Sequence, residues 1–295
     1  MRYKVTPLND YSYAGKIKLD FKKPQGLTLM QNKLFVVDSE NHRIAKIDNR
    51  DSDKPTAVYF SQIGSAPEDL LNPQAIVSDG ENRLYIADAG NSRIQVFDAD
   101  GRHISVHPIK LSNHPATKLQ DIAMLDERHL VISISSIESN IAHLYIMSLD
   151  TGNIENIKGQ VTGSLTNSIN GEVYALAKME LFSEKSQIGG KSGRHPIFKL
   201  GKGEINEVGL LPTVYTPNDG VIIGDYLYAT SQSFLSVDKF SLDGKHLGTI
   251  YRPDNIDQNK KEPPYEFTYM VADKLNLYIS DTKNNEIVVL KKKAM

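Results

Sequence analysis

The chain repeats itself. Pro24-Gln25-Gly26-Leu27, Lys33-Leu34-Phe35-Val36-Val37-Asp38 and Asn41-His42-Arg43-Ile44 return as Pro73-Gln74-Ala75-Ile76, Arg83-Leu84-Tyr85-Ile86-Ala87-Asp88 and Asn91-Ser92-Arg93-Ile94, offset by 50 at the aromatic. Weaker copies are centred on Val131, Tyr174, Tyr228 and Tyr278, so the register positions 35, 85, 131, 174, 228 and 278 are separated by 50, 46, 43, 54 and 50. That makes six units. A unit of this size cannot bury its apolar face alone and must stack on its neighbours, so the repeat constrains the fold more than any other feature.

Within each unit the apolar runs are short, rich in Val, Ile and Tyr, and punctuated by Asp-Gly, Asn-Gly or Asn-rich turns. This pattern predicts strands and hairpins with no sustained helical period. Four strands per 40 to 50 residues is the size of one propeller blade, so the expected fold is all-β, a six-bladed β-propeller forming one domain over residues 1–295. Blades are expected to begin near 24, 73, 119, 162, 217 and 264. The chain stops one strand short of a sixth full blade, while Tyr13-Ala14-Gly15-Lys16-Ile17 precedes the first repeat. Residues 1–20 are therefore expected to supply a strand that closes the ring on the last blade.

The segments Asp38-Ser39-Glu40-Asn41-His42-Arg43-Ile44 and Asp88-Ala89-Gly90-Asn91-Ser92-Arg93-Ile94 resemble the NHL-repeat family of six-bladed propellers. The sixth unit keeps Asp281 but has Asn285-Glu286-Ile287 where the first two have an Arg. Recurrence of Asp38/Arg43 and Asp88/Arg93 in successive blades points to a turn-fixing charge pair rather than to chemistry. Pro217-Asn218-Asp219-Gly220-Val221 is locally similar to the inner-strand start from which gluconolactonase/SMP-30 propellers supply a metal-binding Asp, and that resemblance implies Asp219 as a ligand.

Composition narrows the function classes. With Lys+Arg 34 against Asp+Glu 36, long-range attraction to nucleic acid is not a property of the whole molecule, and no nucleic-acid partner is expected. Zero cysteines exclude thiolate nucleophiles and Cys-ligated metals, leaving oxygen or imidazole donors. No apolar run approaches the roughly 18 residues that span a bilayer, so no membrane segment is expected. If Met1 is the native start the expected location is cytoplasmic; if a leader has been removed, the protein is exported.

Ligands of propellers meet the starts of the inner strands. Counting back from the register residues by 9, 10, 10, 10, 9 and 12 places Gly26, Ala75, Asp121, Ser164, Asp219 and Glu266 around the tunnel mouth, preceded by Gln25, Gln74, Gln120, Gly163, Asn218 and Tyr265. Converging carboxylates need a cation, a shared proton or capping NH groups, so Asp121, Asp219 and Glu266 are the candidate catalytic and metal-binding residues. A divalent cation such as calcium is the candidate cofactor. If none binds, Glu266 is the expected general acid or base, because its Tyr- and Pro-rich surroundings should desolvate it. Tyr265 and Tyr269, with Tyr215, are candidates for an aromatic rim. Arg194 and His195 end a Gly-, Ser- and Lys-rich insertion expected to overhang the same face. Two function classes follow: a propeller that binds a small molecule or a peptide or protein partner at this acidic mouth, and a hydrolase, lyase or cyclase that uses its carboxylates.

Overall fold

A computed structural model describes residues 6–111, 117–136, 142–157, 163–177, 195–231, 234–253 and 264–294. They form six four-stranded antiparallel sheets. The inner strands are Pro24–Met30, Ile76–Ser78, Thr117–Asp126, Gly163–Asn167, Pro217–Ile223 and Phe267–Ala272. Each touches the next in chain order, and the sixth touches the first, closing a six-bladed ring.

The second strand of each blade shows why the sequence stacks this way. In Lys33–Asp38, successive side chains point to opposite faces of the sheet, and both faces are covered. Leu34 and Val36 enter the apolar cluster shared with blade six, while Phe35 and Val37 enter the cluster shared with blade two. All four are fully buried. One such cluster fills each of the six seams, so an apolar run that looks continuous in sequence serves two separate cores.

The sixth sheet is completed from the other end of the chain. Tyr11–Ile17 pairs antiparallel with Glu286–Lys292, from Tyr11 opposite Lys292 to Ile17 opposite Ile287, with a bulge between Tyr13 and Gly15. The seam between blades six and one has a second fastening. Arg50, buried in blade one, donates from Nε to Tyr278 Oη at 2.7 Å and from Nη2 to Asp273 Oδ2 at 2.8 Å, both on blade six. Burial pushes the Asp273 carboxyl up, but bonds from the Leu275 NH, Arg50 and the Asn276 NH outweigh it and hold its pKa below the usual carboxylate range.

The recurring Asp/Arg pairs hold turns, as their repetition predicts. Asp38 Oδ2 accepts from Asn41 Nδ2 and Arg43 Nε, both at 2.8 Å, and its Oδ1 accepts the Lys22 NH of the entering chain at 2.7 Å. Asp88 does the same with Asn91, Arg93 and the Leu71 NH. In blade six Asp281 keeps Asn284 and the Glu266 NH, but Glu286 occupies the Arg position and pairs with Lys16 of the closing strand at 2.9 Å. Without that Arg, burial raises the Asp281 pKa.

Two outcomes follow. Deleting residues 1–19 strips the outer strand from blade six and exposes the edge of Glu286–Lys292, which should lower Tm by roughly 10 °C or more and cause aggregation, read by a thermal melt with light scattering. Asp273→Asn tests the seam by pH. A carboxylate with a depressed folded pKa stabilises above its unfolded value near ~3.9, and that stabilisation is lost as pH falls through the folded value. The variant should therefore be less stable near neutrality and show a shallower loss of stability below about pH 4 in denaturant titrations.

Candidate functional site

The antiparallel pairing fixes which residues share a level around the tunnel. Thr28 lies opposite Phe35, Val77 opposite Tyr85, Ala123 opposite Val131, Thr166 opposite Tyr174, Val221 opposite Tyr228 and Val271 opposite Tyr278. Two residues earlier stands the ring Gly26, Ala75, Asp121, Ser164, Asp219 and Tyr269. Five of the six are those expected. In blade six the ring residue is Tyr269, at spacing 9 from Tyr278, and not Glu266. The outer ring accordingly ends on Thr268, not on Tyr265.

The two aspartates lean onto the next blade. Leu165 NH donates to Asp121 Oδ2 at 2.7 Å, and Met270 NH donates to Asp219 Oδ2 at 2.7 Å. Asp121 Oδ1 also accepts the Ile122 NH at 2.9 Å. Each inner strand has one edge facing the axis, where the sheet offers no partner, and in blades four and six the preceding blade's carboxylate takes one of its NH groups. Gly26 serves the first seam through its backbone, donating to Gln74 O at 3.0 Å. A Cβ there would lie 2.7 Å from the Ala75 Cα, so the closeness of blades one and two requires glycine.

Tyr269 crosses the tunnel. Its hydroxyl donates to Gln120 O on the opposite blade at 3.1 Å, and its ring packs between the seam of blades two and three and that of blades six and one. Burial, reinforced by the charges of Asp121 and Asp219, pushes the phenol well above its ordinary value, so it remains a neutral donor.

On the side where the inner strands start lies a cavity of about 250 Å3. Gln25, Gln120, Asp121, Gly163, Ser164, Asn218, Glu266, Thr268 and Tyr269 line it. Gln120 Nε2 donates to Ser135 Oγ at 2.9 Å, Asn218 Nδ2 to Phe267 O at 2.7 Å, and Thr282 Oγ1 to Glu266 Oε2 at 2.8 Å. Ser164 Oγ and Thr268 Oγ1 are buried with no hydrogen-bond partner.

Residues 21–47 and 70–97 each match the NHL repeat. The first two blades are NHL repeats. NHL repeat-containing protein 2 from Bos taurus is 31% identical over an alignment of 116 residues that covers 35% of this chain and 16% of that protein's length. Among solved structures, the calcium-binding protein regucalcin from Agrobacterium tumefaciens superposes with a TM-score of 0.64 at 13% identity over 96% of both chains. The PQQ-bound aldose sugar dehydrogenase from Streptomyces coelicolor superposes with a TM-score of 0.65 at 11% identity, covering 98% of this chain and 100% of that one. At these identities the likeness is one of fold.

The propeller places the other expected residues as follows. Glu266 is exposed at the mouth, so the desolvation expected of it is absent. Tyr265 is half-buried beside Phe267, ring centroids 5.9 Å apart, and packs on the core of blades five and six rather than in the cavity wall. Gln74 turns away to Ser39 Oγ and Asn72 O. Tyr215 is fully buried, donating to Ala229 O at 2.8 Å, and belongs to no rim. His195 does not overhang the mouth: it is buried at the start of the strand His195–Gly201, its Nδ1 3.3 Å from Ala177 O. Arg194 and the insertion before it lie outside the described residues.

The donors do not fit the cation set that the gluconolactonase resemblance implies. Asp121 and Asp219 are engaged by backbone NH groups, and Glu266 sits before the strand. Among the described residues, no three His, Asp or Glu side chains gather as a metal ion requires. No described helix is long and apolar enough to cross a membrane.

Tyr269 and Asp121 also line a second cavity, of about 930 Å3, on the opposite side of the ring. Tyr269→Ala should join the two spaces and cost about 3–5 kcal/mol, whereas Tyr269→Phe should cost about 1 kcal/mol for the lost bond to Gln120 O. Urea unfolding of both variants checks the order; equal losses would show that the ring does not plug the tunnel.

Proposed function

We propose that this NHL propeller is a binding protein that takes a small, hydroxyl-rich molecule in the polar cavity at the strand-start mouth of its tunnel. The observation that carries this reading is the pair of buried hydroxyls, Ser164 Oγ and Thr268 Oγ1, left without partners on its wall. Leaving a buried polar group unsatisfied costs about 1–3 kcal/mol. A ligand hydroxyl that reaches either oxygen recovers that energy on binding.

Size supports a small molecule over a peptide. At about 250 Å3 the space equals roughly eight liquid-water volumes and lies just below the range of drug-sized pockets. The remaining donors and acceptors, the amides of Gln25, Gln120 and Asn218 and the carboxylate of Glu266, sit around the same wall. An enzyme reading needs a carboxyl placed to move a proton. Asp121 instead accepts two backbone NH groups, and Glu266 is solvated, so binding is favoured over hydrolase, lyase or cyclase chemistry.

The test pairs stability with binding. Ser164→Ala and Thr268→Val remove the orphan hydroxyls, and each should leave Tm unchanged or raise it, by at most a few degrees. A panel of neutral polyols and monosaccharides screened by thermal shift should give a saturable stabilisation of the native protein, weakened about fivefold or more in either variant. If both variants are destabilised, the hydroxyls have partners and the reading fails.

A further inference from the structure

The blade that closes the ring carries a charge inversion. In blades one and two the residue opposite the buried turn aspartate is an arginine, Arg43 against Asp38 and Arg93 against Asp88. In blade six the same position holds Glu286, directly opposite Asp281 across the strands Asn276–Asp281 and Glu286–Lys292. Residues opposed in this way have Cβ atoms roughly 5 Å apart, and like charges there repel. Both are buried, Asp281 fully and Glu286 with 5% exposed. Two carboxylates thus face each other where two other blades place an ion pair.

The surrounding groups leave that opposition in place. Asp281 Oδ2 accepts Asn284 Nδ2 at 2.7 Å, and its Oδ1 accepts the Glu266 NH at 3.1 Å and the Asn284 NH at 3.3 Å, all from neutral donors. The ammonium of Lys16, on the closing strand, goes to Glu286 instead, 2.9 Å from Oε2 and 3.2 Å from Oε1. On the segment entering the blade stand Tyr265 and the exposed Glu266, whose carboxylate accepts from Thr282 Oγ1. Lys283 on the turn and Lys23 on the chain entering blade one are exposed. Burial raises the Asp281 pKa, and the charge of Glu286 adds to it, against the bonds from Asn284 and the Glu266 NH. The bond to Glu286 holds the Lys16 pKa up, so Lys16 keeps its charge while Asp281 titrates.

We propose that Asp281, set against Glu286, makes closure of the ring proton-responsive: a proton on Asp281 relieves the opposition and holds Tyr11–Ile17 on blade six, and its loss lets that strand detach more readily. Repulsion displaces Glu286, and Glu286 takes Lys16 with it. The strand carrying Lys16 is the outermost of its sheet, paired on one side only, so it is the first to fray. Linkage sets the direction. A carboxyl whose folded pKa lies above its unfolded value near ~3.9 binds its proton more tightly in the native state. Its contribution is therefore full below that value and is lost as pH rises through the folded pKa. Asp273, at the neighbouring seam, has the opposite sign, so the two titrations are separable.

Hydrogen exchange of the full chain, read by mass spectrometry and corrected for intrinsic rates, tests this on the closing strand Tyr11–Ile17. The outer strand of blade one, Thr56–Phe60, serves as internal reference. Protection of the closing strand relative to the reference should be at least about threefold higher near about pH 4.5 than near about pH 8. Asp281→Asn should bring that ratio to about one. Glu286→Gln should reduce the ratio without abolishing it, because the burial of Asp281 remains. Relative protection that is equal at the two pH values, or that changes as much in Asp281→Asn as in the unaltered protein, overturns the proposal. An unchanged ratio in Glu286→Gln overturns it too, and that outcome decides the matter should Asp281→Asn fail to fold.

Discussion

Every blade of a propeller presents one strand edge to the axis, and the NH groups on that edge have no sheet partner. The six-bladed ring depends on how they are satisfied. Leu165 NH is held by Asp121, Met270 NH by Asp219 and Met124 NH by the Asn167 carboxamide at 3.3 Å, each bond joining one inner strand to its neighbour. The same bonds that relieve the unpaired edges therefore fix the spacing between blades. They also set part of the carboxylate charge in the tunnel against backbone dipoles.

Much of this was legible in the sequence, because periodicity reports the fold directly. The offset of the first two units, the turn-fixing role of Asp38 and Asp88, and the closing strand all follow from spacing and from the need to hide edges. Five ring positions follow from counting back 9 or 10 residues. Blade six escaped because the long connection before it ends in Pro263-Pro264-Tyr265, which moves the apparent start of the strand ahead of its true one. Holding the spacing at 9 would have found Tyr269 and, before it, Thr268. The larger cavity carried no sequence signal: its walls are ordinary strand residues, and its acidic rim is built from Asp-Gly and Asp-Glu turns that read as hairpin chemistry.

Blade six also shows how one departure from the repeat serves closure. Where the first two blades place Arg43 and Arg93 against a buried aspartate, the sixth places Glu286, and the countercharge moves to Lys16 on the strand that arrives from the other end of the chain. The charge pair thus ceases to be internal to a turn and spans the closing strand pair. Lys16 is partly exposed, so solvent screens the attraction; its value lies in register more than in stability. A closing strand shifted by one residue would turn every side chain over and separate Lys16 from Glu286.

Tyr269 sets the two ends of the tunnel apart. A ring of small residues and aspartates would leave an open channel, and one large side chain reaching from blade six to Gln120 O blocks it. The hydroxyl can donate only while neutral, and its burial, seconded by the charges of Asp121 and Asp219, keeps it so. On one side the plug leaves a narrow polar space, because Ser164, Thr268 and the amides converge there. On the other the inner strands end in a mixture of apolar and polar residues, Met30, Ser78, Asp126, Asn167, Ile223 and Ala272, around a wider space of about 930 Å3. The two ends thus differ in size and in their lining residues, and the difference arises from which residue of a repeated strand each blade contributes at each level.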